Sequence, residues 1–140
     1  MIILDTSFLI AFYNKRDSRH REALKIFDEI ANDKLVISDY IFDEVVTFLR
    51  AKVPWIAQEV DENILENLNV IRVNDEDFRT AWELFNKFDE LSFADCTTLS
   101  LSKRLKIRRV VTFDQSLLRA FGKVKKNSCC LLYTSDAADE

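Results

Sequence analysis

Apolar residues along this chain come in two kinds of block that alternate. Ile2-Ile3-Leu4, Leu35-Val36-Ile37, Val70-Ile71-Arg72-Val73 and Ile107 to Thr112 are near-continuous apolar runs of strand length. Between them apolar residues recur at helical spacing. Phe8 to Tyr13 reads as a short first helix, and Ala23, Leu24, Phe27 and Ile30 form the stripe of a second, with Ser18 placed to cap it. Ser38 or Asp39 caps a third helix carrying Ile41, Val45, Phe48 and Leu49. Pro54 separates this from a fourth, with Ile56, Val60, Ile64 and Leu68. Asn74-Asp75 starts a helix through Ala81, Trp82 and Phe85; Phe93 to Leu105 and Gln115 to Phe121 are two more. Lys123-Val124-Lys125 reads as the start of a last strand.

Strands that are apolar on both faces must be covered on both faces. The pattern therefore predicts an α/β fold, a three-layer α/β/α sandwich with a mainly parallel sheet of four to five strands. At 140 residues this is one domain, with no internal repeat or linker. Eleven Phe and two Trp supply a core, while one Gly and one Pro leave turns to Asn, Asp and Ser. The apolar start is broken by Asp5 and lacks preceding basic residues, so it is no export signal. No run approaches the ~20 apolar residues that cross a bilayer. A cytoplasmic protein without membrane association is expected.

The last eleven residues break the pattern. Cys130-Leu-Leu-Tyr-Thr-Ser-Asp-Ala-Ala-Asp-Glu140 has no periodicity and matches the translation of a transposon-type sequencing-library adapter. Residues 130–140 are accordingly set apart as a non-native tail, leaving a domain over 1–129; a native disordered tail is the competing reading. The tail holds three acids and no base, so its removal takes the formal charge from −4 to −1. Cys96 and Cys129 then remain, without metal-ligand spacing, and are expected to be reduced.

Among twenty-four acids, four stand out by placement. Asp5 and Asp114 follow the first and fourth strands, and ligand sites in parallel sheets form beyond the carboxyl ends of strands. Either could merely cap the helix that follows. Asp95 begins a helix between apolar Phe93-Ala94 and Cys96, an unusual place for an unpartnered ion, although the helix dipole is a simpler account. Glu44 falls within roughly 60° of the centre of the Ile41, Val45, Phe48 stripe, whereas Asp43 faces the other way. A carboxylate at the edge of a buried stripe needs a cation, either a salt-bridge partner or a metal. Converging acids suit a hard divalent ion such as Mg2+ or Mn2+. A lone His20 and scattered cysteines do not make a zinc site.

Four segments together carry a family likeness: Ile-Ile-Leu-Asp5-Thr-Ser-Phe-Leu-Ile-Ala, Ser-Asp-Tyr-Ile-Phe-Asp-Glu44-Val-Val-Thr, Ser-Phe-Ala-Asp95-Cys and Val-Val-Thr-Phe-Asp114. In that order and spacing, from Met1 to about Val124, they resemble the PIN domain, and the length resembles the VapC-type toxins of toxin–antitoxin pairs. The resemblance implies a PIN fold and a metal-dependent ribonuclease that leaves a 5′-phosphate and a 3′-hydroxyl. It implies that Asp5 and Asp95 are the principal metal ligands, with Glu44 and Asp114 completing the set. Thr6 and Thr112 sit beside the first and last acids as supporting hydroxyls. Implied partners are an RNA substrate, a small antitoxin protein and a second copy in a homodimer.

For phosphate contact, Lys15, Arg16, Arg19 and Arg21 near the first turn are candidates, as are Lys103, Arg104, Lys106, Arg108 and Arg109 before the fourth strand. Each is as readily a solvated surface charge. Two alternatives share the fold: a PIN nuclease of RNA processing without an antitoxin, and an inactive PIN-like binding module. A haloacid-dehalogenase-type phosphotransferase expects a second Asp where Ser7 stands.

Overall fold

A computed structural model describes residues 1–124 and the backbone of residues 131–133. The expected tail and Cys129 otherwise lie outside the described residues. The chain runs β1 (Ile2–Leu4), α1 (Thr6–Tyr13), α2 (His20–Ile30), β2 (Leu35–Ser38), α3 (Asp39–Lys52), α4 (Ala57–Asn67) and β3 (Asn69–Ile71). It continues with α5 (Asp75–Lys87), α6 (Phe93–Arg104), β4 (Arg109–Val111), α7 (Gln115–Val124) and β5 (Leu131–Tyr133).

All pairings are parallel, in the order β3-β2-β1-β4-β5. Alternate residues of each central strand feed opposite cores. Ile2, Leu4, Leu35, Ile37 and Val111 pack with α1 to α4, and Ile3, Val36 and Val110 pack with α5 to α7. This is the three-layer sandwich that the doubly apolar strands require. From β1 the chain builds outward to β2 and β3, then returns to place β4 on the other side of β1. Strand order thus reverses between β1 and β4, and ligand sites of open parallel sheets form beyond the carboxyl ends of the strands at such a reversal.

Local chemistry sets the helix starts. The Asp5, Ser38, Asn74 and Ser92 side chains each accept a backbone N–H of the first turn of α1, α3, α5 and α6. Ser18 does not cap α2: the helix begins at His20 behind Arg19, which makes no side-chain cap. Asp39 instead accepts the Val73 N–H at 3.1 Å, which removes Val73 from the ladder and ends β3 at Ile71. Lys123 and Val124 continue α7 rather than opening a strand. Leu24, Phe48, Trp82 and Phe85 are exposed despite their spacing.

One buried ion pair ties α5 to α6. Arg104 Nε donates to both oxygens of Asp77, at 2.8 and 3.0 Å, and Ser100 Oγ donates to the Asp77 carbonyl at 2.7 Å. Asp77 also closes the α5 capping box through the Asn74 N–H. Asp77→Ala should lower the unfolding free energy by about 2 kcal/mol, read by urea denaturation. Arg104 reaches solvent, which keeps the loss below that of a fully buried pair.

Candidate metal centre and nuclease site

Asp5 leaves β1 and turns its carboxylate back to cap α1, where it is buried to 1% exposure. Oδ1 accepts from the Phe8 N–H at 3.1 Å and from Ser7 Oγ at 2.8 Å, and Oδ2 accepts from Thr112 Oγ1 at 2.6 Å. A carboxylate has about four acceptor positions. Three are spent on the protein, and the open one is on Oδ2.

Thr112 links two of the acids. Its hydroxyl donates to Asp5 and accepts the Asp114 N–H at 2.9 Å. Asp114 uses Oδ1 to accept the Ser116 and Leu117 N–H groups at the start of α7. Thr6 Oγ1 donates to Glu44 Oε1 at 2.6 Å, which fixes Glu44 across from α1. Glu44 is half-buried and Asp43 exposed, as the helix phase requires, and both line a groove of about 410 Å³ with Thr6, Ile10, Thr47 and Phe48. Asp95 uses Oδ2 to accept the Ser92 N–H at 3.1 Å, closing the α6 capping box. Ser38 at the end of β2 meets Thr97 at 2.9 Å, which holds the start of α6 at the carboxyl edge of the sheet.

Asp5 and Asp95 carry the strain of this placement. Burial pushes the Asp5 carboxyl up to about 7 against the pull of Thr112, Phe8 and Ser7, and the Asp95 charge adds to the rise. Asp95 is also raised, first by burial and then by the charges of Asp114 and Glu44, against the Ser92 hydrogen bonds. Burial of these carboxyls, with like charges nearby, favours the approach of positive charge. Among the described residues, no three His, Cys, Asp or Glu side chains are gathered closely enough to ligate an ion as they stand. The oxygen-only donors and the open position on Asp5 nonetheless fit a hard divalent cation. So do Glu44, Asp95 and Asp114, each with only one oxygen accepting from protein.

Among the described residues, cysteine and histidine offer no competing chemistry. The Cys96 thiol is free and buried, and burial plus the Asp95 charge push it up to about 12. His20 spends Nδ1 on the Ala11 carbonyl at 2.8 Å.

A family model described as the PIN domain matches residues 2–123. The chain belongs to the PIN domain family. Its structural neighbours are toxins of toxin–antitoxin pairs. VapC20 of Mycobacterium tuberculosis, a toxin that cleaves the sarcin–ricin loop, has a TM-score of 0.77 and 26% identity over 86% of this chain and 95% of that one. A toxin–antitoxin complex from Klebsiella pneumoniae gives 0.66 and 18% identity, covering 82% of this chain and 88% of that one. VapBC2 of Rickettsia felis, bound to promoter DNA, gives 0.66 and 16%, covering 95% and 99%. No curated protein matches the chain.

This PIN domain relies on a residue that sequence reasoning passed over. Ser7 Oγ donates to Asp5, accepts the Phe113 N–H at 2.9 Å and lies 3.3 Å from Thr112 Oγ1, so it joins the two strand ends.

The structure also divides the candidate cations by sheet edge. Arg109 opens β4 and Arg108 precedes it, so both lie at the amino edge, and Arg109 pairs with Asp33 at 2.6 Å. Lys103 and Arg104 end the helix that Asp95 begins, about 12–14 Å along its axis from the acid. With Lys106 in the turn that follows, this group stands away from the carboxylates. In the other group Arg16 lies 5.5 Å from the ring of exposed Trp55, and Arg21 is exposed. Lys15 lines a groove with Phe12, Tyr13, Phe27 and Val60. Arg19 alone lies against the site, with its guanidinium carbon 5.0 Å from the centroid of the Phe113 ring.

Proposed function

We propose that this PIN domain is a divalent-metal-dependent endoribonuclease of VapC type, the toxin of a toxin–antitoxin pair. The feature that supports this reading is that Asp95 lies within electrostatic reach of Asp5, Asp114 and Glu44 at the edge of the sheet where the strand order reverses. The toxin neighbours support the biological role, and the RNA-cleaving activity named for VapC20 supports the substrate class.

Asp5 and Asp95 would hold Mg2+ or Mn2+, with Glu44 and Asp114 completing its shell or orienting the attacking water. When bound, such an ion supplies Lewis acidity toward a phosphodiester. The protein's share of the work is positional. Thr112, Ser7 and the Phe8 N–H keep the Asp5 carboxylate in one orientation, and Thr6 does the same for Glu44. In-line attack by water on phosphorus would leave a 5′-phosphate and a 3′-hydroxyl.

Under the same proposal the partners are RNA, a small antitoxin and a second copy in a homodimer, and the compartment is the cytoplasm. Among the described residues no helix is long and apolar enough to cross a membrane. The nuclease domain is proposed to span 1–129, with 130–140 derived from an adapter; β5, which pairs with β4, would then be a non-native edge strand. Sequencing across codon 130 in an independent clone tests that boundary.

The purified protein should cleave single-stranded RNA with Mg2+ or Mn2+ and stop on addition of EDTA, with 5′-phosphates on the products. Cleavage that persists in EDTA after metal stripping would defeat the metal assignment. Absence of cleavage with every divalent ion would defeat the nuclease reading.

A further inference from the structure

Resting on the ribonuclease reading, we propose that Arg19 binds a phosphate of the RNA backbone beside the carboxylate site. Arg19 stands at the N-cap of α2, where its backbone is held at both ends: its N–H donates to Asp17 Oδ1 at 2.8 Å and its carbonyl accepts from Ala23. The side chain therefore starts from a fixed point. Its guanidinium lies over Phe113, the residue between Thr112 and Asp114, and Phe113 is in turn held by Ser7 and packed against Phe8. A cation is thus held beside the same Thr112–Asp114 segment that orders two of the acids.

Among the described residues, no acceptor or carboxylate takes up this guanidinium beyond its contact with the Phe113 ring. Nη1 is buried without a hydrogen-bond partner, and no described carboxylate forms an ion pair with Arg19. Glu22, one helical turn on, leaves its own Oε2 unpaired rather than closing that bridge. Two residues beyond Phe113, Gln115 Nε2 is also buried without an acceptor among the described residues. Buried donors without acceptors are uncommon in folded proteins and mark places where a ligand completes the bonding. What is missing here is an oxygen-rich anion.

Phosphate is the anion that a phosphodiester substrate brings to this place. A planar guanidinium held over an aromatic ring can match two phosphate oxygens at once, which an ammonium cannot do. Arg19 is part-exposed, so part of its side chain is open to solvent beside Phe113. The resulting order across the site is acids at the bond to be cut and one arginine on a flanking phosphate. Binding energy from that flank is felt in the ground state and the transition state alike, so it acts mainly on KM.

The test uses the full chain and a fluorescein-labelled single-stranded RNA of mixed sequence. Steady-state cleavage is compared for the unsubstituted protein, Arg19→Gln, Arg19→Lys and Arg108→Ala. In parallel, fluorescence anisotropy follows RNA binding by Asp95→Asn and by Asp95→Asn with Arg19→Gln across a salt series. Arg19→Gln should raise KM about tenfold with kcat little changed, Arg19→Lys should recover part of the loss, and Arg108→Ala should match the unsubstituted protein. The slope of log affinity against log salt should fall by about 0.7 with Arg19→Gln, the share of one single-strand phosphate.

An unchanged KM and salt slope in Arg19→Gln overturns the proposal. So does collapse of the fold in both Arg19 variants, which would make Arg19 a packing residue, or binding of an acidic peptide in place of RNA as the Arg19-dependent event. If the unsubstituted protein cuts no RNA, the ribonuclease reading fails on its own. The anisotropy arm, which needs no cleavage, still decides whether Arg19 holds phosphate.

Discussion

Asp95→Asn is expected to lower metal-dependent RNA cleavage on the order of a thousandfold while leaving the fold intact. The two halves of that result come from different atoms of one side chain. Asp95 Oδ2 closes the capping box by accepting the Ser92 N–H, and an asparagine carbonyl can accept the same bond. What the substitution removes is the charge. A carboxylate that anchors a divalent ion contributes several kcal/mol to the transition state through that ion, and about 4 kcal/mol corresponds to a thousandfold in rate. The comparison with Asp5→Asn is informative because Asp5 is also a structural cap. Its Oδ2 accepts from Thr112, so an amide there would force the Thr112 hydroxyl to turn and would loosen its link to Asp114. Both variants should lose cleavage, and circular dichroism melts should show Asp95→Asn within a few degrees of the unsubstituted protein. Cleavage retained in both variants would remove Asp5 and Asp95 from the ion-holding role.

How far the sequence led can be followed residue by residue. Strand-end acids were legible because a parallel sheet sends every strand's carboxyl end to one edge, so Asp5 and Asp114 had to share it. Glu44 was legible from helix phase, which separates it from Asp43 whatever the helix packs against. The edge assignment of the basic residues followed from the same logic and was missed: a residue just before a parallel strand sits at the amino edge, which places Arg108 and Arg109 away from the acids. Ser7 was harder. Its bonds to Asp5 and Phe113 join segments 106 residues apart, and no local pattern encodes that meeting. Exposure of Leu24, Trp82 and Phe85 was invisible for a similar reason, because spacing defines a stripe but not how wide a strip of it the neighbouring elements cover. The unpartnered nitrogen of Arg19 is a property of packing and had no sequence signal.

The second large effect concerns stability and its dependence on pH. Asp5 has its folded-state value raised to about 7 from an ordinary 3.8. Between those values the folded protein keeps a proton that the unfolded chain has released, so raising the pH removes stability. The contribution is fully present below about pH 3.8 and lost as pH rises through about 7. Some three pH units at about 1.4 kcal/mol each set a ceiling near 4 kcal/mol, and Asp95 shifts in the same direction. Metal-free protein in EDTA should therefore melt at a lower temperature at pH 8 than at pH 5 by several degrees, measured by calorimetry. A divalent cation binds the ionised acids of the folded state alone, so millimolar Mg2+ should raise the melting temperature at pH 8 and hardly at pH 5. Asp5→Asn has no charge to bury, and its melting temperature in EDTA should fall less between pH 5 and pH 8. If Asp5→Asn instead keeps the full pH dependence of the unsubstituted protein, the destabilising charge lies elsewhere. Then the strain attributed to this site is not what a metal ion relieves.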